Sequence, residues 1–184
     1  MSNEILNLLK QIEQVVPESR LNKAVSENIL EHILNKNSLV NPELKELYSW
    51  KNGSKFSYED QGKEFCSFGY IIPIEMAIEI YLENKIRRYK KNGFFPFVSD
   101  FEGLDLLLRV DEPNQPVYFY CPGILIVKPK PIFENLSTFL SSTYECYVSQ
   151  VYTIVNNLLE IDMDVESKVF LKNSRVYKIW SENK

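Results

Sequence analysis

The chain has 184 residues and a formal net charge of −4, with 45% hydrophobic and 25% charged residues. That composition is globular rather than disordered, and the length is enough to bury a core without disulfides or metals. The acidic balance argues against general affinity for nucleic acid or anionic lipid, both of which need clustered positive charge, and favours a basic partner.

Taken in order, the chain opens Met1-Ser2-Asn3-Glu4, with no basic and apolar leader. No stretch approaches the ~18 apolar residues of a membrane span, so a cytoplasmic chain without a membrane partner is expected. Ile5, Leu8, Leu9, Ile12 and Val15 or Val16 recur at helical spacing and predict an amphipathic helix stopped near Pro17. Val25, Ile29 and Ile33 mark a second helix. A third is signed at both ends: Asn41 suits the cap, Pro42 the first helical position, Leu44, Leu47 and Tyr48 form the stripe, and Asn52-Gly53 ends it.

Polar residues from Ser54 to Gly62 predict a loop, followed by a strand around Phe65 to Tyr70. Pro73 opens a longer helix through Ile74, Ala77, Ile78, Tyr81, Leu82, Ile86 and Tyr89, closed by Lys90-Lys91 and Asn92-Gly93. The period then becomes extended. Phe94 to Ser99, Leu104 to Val110, Pro116 to Cys121 and Ile124 to Val127 read as consecutive antiparallel strands joined by tight turns. Beyond Pro129 and Pro131 a helical spacing returns from Leu136 through Phe139, Tyr147, Val151 and Val155 to Leu158. The run from Asp162 to Lys184 suits another helix or a strand with a tail. The whole is an α+β pattern in one domain, a small central antiparallel sheet with helices before and after it.

The string Pro42 to Gly53, then Phe94-Phe95-Pro96-Phe97-Val98-Ser99-Asp100, Gly103 to Asp111, and the Phe-bearing start of a helix at Ile132 to Leu140 resemble, in that order, the SUKH superfamily. Its members include fungal cell-wall-assembly regulators and bacterial immunity proteins that neutralise toxins. The resemblance covers about residues 20 to 145 and leaves about 150 to 184 as a helical C-terminal extension. Leu104 stands between Gly103 and Asp105 where the family commonly has Gly directly before Asp. The resemblance implies an α+β fold with a central antiparallel sheet, no cofactor, and recognition of a protein partner.

The residues themselves carry few enzyme signals. His32 is the one histidine, so a triad or metal site would need partners that its sequence neighbours do not supply. Cys66, Cys121 and Cys146 are odd in number and widely spaced, and read as reduced small hydrophobes. Asp100, Glu102, Asp105, Asp111 and Glu112 put five carboxylates around two strand ends. They suit solvated turns, an acidic contact surface for a basic toxin such as a nuclease, or a metal-dependent reaction. The contact surface is the functional reading kept, with Trp50 as a candidate anchor against the alternative that it closes the core. Lys85, Arg87, Arg88, Lys90 and Lys91 form a basic run that a helix C-terminus favours without any partner. Tyr118-Phe119-Tyr120 alternates across a strand, so outward tyrosines would make a sticky surface if bare.

Overall fold

The computed structural model describes residues 2–39, 41–55, 63–83, 89–124 and 126–182. Helix α1 spans Ser2–Val15 and buries Ile5, Leu9 and Ile12, the stripe its spacing predicts. Helix α2, Glu27–Lys36, buries Leu30 and Leu34 instead of Ile29, which is 56% exposed. Both sets fit an i, i+4 period, and Ile33 of the expected set still packs partly buried against the core, while Lys45 of α3 meets Glu31 of α2 at 2.6 Å. Helix α3 spans Pro42–Trp50, capped by the Asn41 side chain, which accepts from the Glu43 amide at 2.7 Å. Past its end Gly53 takes φ +71°, and a Cβ there would lie 2.6 Å from the Ile71 carbonyl oxygen. The gap between α3 and the sheet therefore admits only a residue without one.

The sheet is a five-stranded antiparallel meander in the order β1 to β5. Strand β1 is only Tyr70–Ile71, shorter than expected, because residues 65–69 turn back on themselves with Cys66 bridged to Gly69. Helix α4, Ile74–Glu83, and short α5, Tyr89–Asn92, fall within the helix expected from Pro73 to Gly93, with Ile86 outside the described residues. Strand β2, Phe94–Ser99, has the bounds expected, and its Pro96 is tolerated because the register shifts beside it into a bulge. Strands β3, Asp105–Arg109, and β4, Val117–Cys121, follow as expected.

Strand β5, Ile126–Phe133, corrects the sequence reading: it runs on through Pro129 and Pro131. It is the edge of the sheet, so neither missing amide interrupts a ladder on its far side. Helix α6, Leu136–Val148, then stops, and the expected continuation through Val151 and Leu158 is instead the hairpin β6, Tyr152–Val155, and β7, Leu158–Ile161. Helices α7, Met163–Asn173, and α8, Arg175–Glu182, complete the chain.

Helix α1 packs against α3 and α6, α4 against β2, and α8 against β5. The extension after 150 is thus a hairpin and two helices that join the same hydrophobic cluster as the sheet, through Val151, Tyr152, Val169, Phe170 and Tyr177. The fold class is α+β, as the sequence predicts. Among the described residues no helix is long and apolar enough to cross a membrane.

Candidate functional site

The register assigns faces to the carboxylates. Asp105 pairs with Tyr120 and with Ser99, so these three share a face of the sheet. Tyr89 of α5 lies over that face, edge-on to Tyr120, and its hydroxyl donates to Asp105 Oδ2. Asp105 is 0% exposed. This corrects its assignment to a contact surface: the carboxylate is sealed beneath α5. The Tyr118-Phe119-Tyr120 triplet is not a bare surface either. Phe119 and Tyr120 are buried on opposite faces, and the half-buried Tyr118 meets Phe94 edge-on.

Asp100 caps the β2–β3 turn. Its Oδ1 accepts from the amides of Glu102, Gly103 and Leu104 at 2.8, 2.9 and 2.8 Å. The carboxylate supplies what a tight turn lacks, and Glu102 beside it is exposed. At the other end of β3, Arg109 grips Asp111 through its Nε and Nη2, at 3.0 and 2.6 Å, and holds that carboxyl below its ordinary range. Asp111 and Glu112 are exposed. About 13 Å of strand, at ~3.3 Å per residue, separates the two groups. The five carboxylates therefore do not form one site, and they cannot share one metal ion.

Trp50 is 8% exposed and lies in the core cluster, so the structure corrects its candidacy as an interface anchor. Next to it Lys51 meets Glu13 at 2.7 Å, and that bond holds the Glu13 carboxyl below its ordinary range. His32 is exposed on α2. Cys66 and Cys146 are buried free thiols, and burial pushes Cys146 up to about 12, far from a reactive thiolate. Lys90 and Lys91 are exposed, while Lys85, Arg87 and Arg88 lie outside the described residues. Among the described residues no group of three or more His, Cys, Asp or Glu side chains could hold a metal.

The Asp111 end of the sheet gathers acidic residues that the sequence reading passed over. The Asn41 side-chain amide donates to the backbone carbonyls of Arg109 at 2.6 Å and Glu112 at 3.4 Å, which ties the β3–β4 turn to the start of α3. A cavity of about 180 Å³ opens there between α1, α3, that turn and the start of α6. Glu4, Glu43 and Glu46 line it. Glu43 is only 6% exposed, and its Oε2 finds no hydrogen-bond donor among the described residues. Burial pushes its carboxyl upward, with the Asn114 backbone and Asn41 side chain drawing it part of the way back. A signal for Glu43 was present in the sequence: it sits four and seven residues before Leu47 and Trp50, on the same helix face as two buried residues. A negative, partly apolar pocket beside exposed Asp111 and Glu112 is suited to receiving positive charge.

No family model matches the chain, and no curated protein matches it.

Proposed function

We propose that the chain is a non-catalytic protein-binding module of SUKH type, an immunity-type protein that neutralises a basic cognate toxin. The observation that carries the reading is the acidic end of the sheet, where exposed Asp111 and Glu112 adjoin the cavity lined by Glu4, Glu43 and Glu46. A face of one sign steers an oppositely charged partner and speeds encounter. The element order lends support: α3 closing before Asn52-Gly53, then β1 and α4, the Pro-Phe strand β2, an Asp/Gly turn, apolar β3 and β4, and α6 with Phe139. Purification from the native host is expected to recover a stoichiometric protein partner. Glu4→Lys with Glu112→Lys should dissociate that complex, whereas Glu102→Lys at the opposite end should leave it intact. A complex untouched by the first pair would show that the partner does not dock on the acidic end of the sheet.

A second reading, a regulatory scaffold docking through its C-terminal part, is favoured by exposed Val155, Leu158 and Met163 on the hairpin and the start of α7. Leu158→Glu with Met163→Glu tests it, since a partner retained by that variant does not dock there.

A further inference from the structure

We propose that the cavity where residues 18–23 run beside residues 51–55 is an anion site that takes the phosphoryl groups of a small soluble phosphate ester. It lies past the C-terminal end of α3, away from Glu43, and does not depend on the toxin-binding reading.

Backbone pairing builds the cavity. Leu21 bridges to Ser54 in antiparallel register, the Asn22 amide donates to the Gly53 carbonyl at 2.9 Å, and the Lys55 amide donates to the Arg20 carbonyl at 2.8 Å. The Asn52 amide reaches the Lys23 carbonyl at 3.3 Å. The Asn22 side chain clamps the same two segments, donating to the Asn52 and Ser54 carbonyls at 3.0 and 2.8 Å. The backbones that carry Lys23 and Lys55 are therefore set before a ligand arrives, which lowers the ordering cost of binding. At about 450 Å³ the cavity falls in the range of roughly 300 to 1,000 Å³ typical of small-molecule sites.

Charge selects the ligand. Lys23, Lys51 and Lys55 line the cavity against one carboxylate, Glu18. Lys51 is tied to Glu13 at 2.7 Å with its side chain only 13% exposed, whereas among the described residues neither Lys23 nor Lys55 has an ion-pair partner. In a chain of net charge −4 the cavity is thus a local reversal of sign. The Leu47 and Tyr48 carbonyls, near the end of α3, are taken by the Lys51 and Val25 amides, which limits the negative field an anion meets there. Compact ammonium groups approach an oxyanion from several directions, as the oxygens of a tetrahedral phosphoryl group require, while a flat carboxylate is matched best by a guanidinium fork. Arg20, the nearby guanidinium, is turned instead to the Asn157 and Glu64 carbonyls at 3.1 and 3.0 Å. The Ser19 hydroxyl supplies one more donor at the wall.

The test is an amide NMR titration of the full chain with inorganic pyrophosphate, against sodium chloride at matched ionic strength. Saturating shifts are expected at Lys23, Asn52 and Lys55 with pyrophosphate alone. Lys23→Gln with Lys55→Gln, both exposed positions, should weaken the affinity at least about tenfold. Lys90→Gln with Lys91→Gln removes the same charge elsewhere on the surface and should leave it within about twofold. Shifts that fail to saturate, equal shifts with chloride, or equal losses in the two double variants would overturn the site. A short single-stranded DNA that bound more tightly than pyrophosphate at the same amides would overturn the small-molecule assignment.

Discussion

Glu166 lies on α7 with its carboxyl buried and accepting from the Tyr152 hydroxyl. Burial raises its pKa, with the bond from Tyr152 only partly opposing. The folded chain therefore holds this proton more tightly than the unfolded chain. Its contribution to stability is full below the ordinary carboxylate value and is lost as pH rises through the raised one. Glu166→Gln, which keeps an acceptor for Tyr152, should flatten the decline in unfolding midpoint that sets in as pH rises above the ordinary carboxylate range. An unchanged pH profile in denaturant melts would show that the carboxyl is not protonated in the fold. Gly69 gives a second expectation. It sits at φ +114°, with a Cβ position 2.3 Å from the Ser99 carbonyl oxygen, so side-chain strain and a backbone clash act together. Gly69→Ala should destabilise by about 2 to 4 kcal/mol in urea melts, well beyond a surface substitution. Asp105 and Asp111 look alike in the sequence, each at the end of an apolar run. Tyr89 helps tell them apart, coming down on Asp105 from a helix 16 residues upstream. That fact lies in tertiary packing and in no local pattern. Glu43 was legible, because its spacing from Leu47 and Trp50 put a carboxylate on a buried face.

At the scale of elements, the parts the sequence disclosed are those whose local chemistry and packing agree. Helix α3 carries its own cap, its N1 proline and its stripe, and β2 shows its bounds through Gly93 and the Asp100 turn. The hairpin β6–β7 was hidden because α6 ends without glycine. Gln150 takes φ +59°, and the Val151 amide returns to the Cys146 carbonyl at 2.9 Å, a helix stop made by a residue that does not announce one. Apolar residues on both sides then extend a helical period by coincidence. The signal that was present is Asn156-Asn157, both at positive φ, 51° and 67°, between Val155 and Leu158 paired across the turn. That is the backbone of a two-residue type I′ turn. Asn157→Gly is expected to be neutral or mildly stabilising and Asn157→Val to cost about 1 to 2 kcal/mol, because a β-branched residue resists positive φ. Thermal unfolding of the two variants checks the turn, and equal effects would refute the assignment. The prolines of β5 misled for a related reason: they exclude a central strand and leave an edge strand open.

Across the whole molecule, one aromatic cluster joins segments that the sequence reading kept apart. Phe68 from the Cys66–Gly69 turn stacks on Phe170 of α7 at 5.9 Å, Phe133 of β5 meets Phe170 edge-on at 5.3 Å, and Tyr177 of α8 closes on Phe170 at 5.1 Å. Phe133 also meets Phe139 of α6 at 5.5 Å, so the sheet, α6 and the last two helices share one set of rings. Polar bonds reinforce the join: the Ser174 hydroxyl donates to the Ile132 carbonyl at 3.2 Å, and the Arg175 amide donates to Glu134 at 2.7 Å. Residues after 150 are therefore not a detachable appendage to a core ending near 145. Phe170 is fully buried, and Phe170→Ala should cost about 3 to 5 kcal/mol, a large share of the roughly 5 to 15 kcal/mol that holds a domain of this kind. Removing residues 150–184 takes away Phe170 and Tyr177 together and leaves Phe68 and Phe133 facing water. The shortened chain should bind a hydrophobic dye and lose its cooperative urea transition. If it instead unfolds cooperatively at a midpoint near that of the full chain, the last helices lie outside the folding unit. Docking through the C-terminal part must accordingly be tested by exposed substitutions such as Leu158→Glu, because deletion would remove the core together with any binding surface.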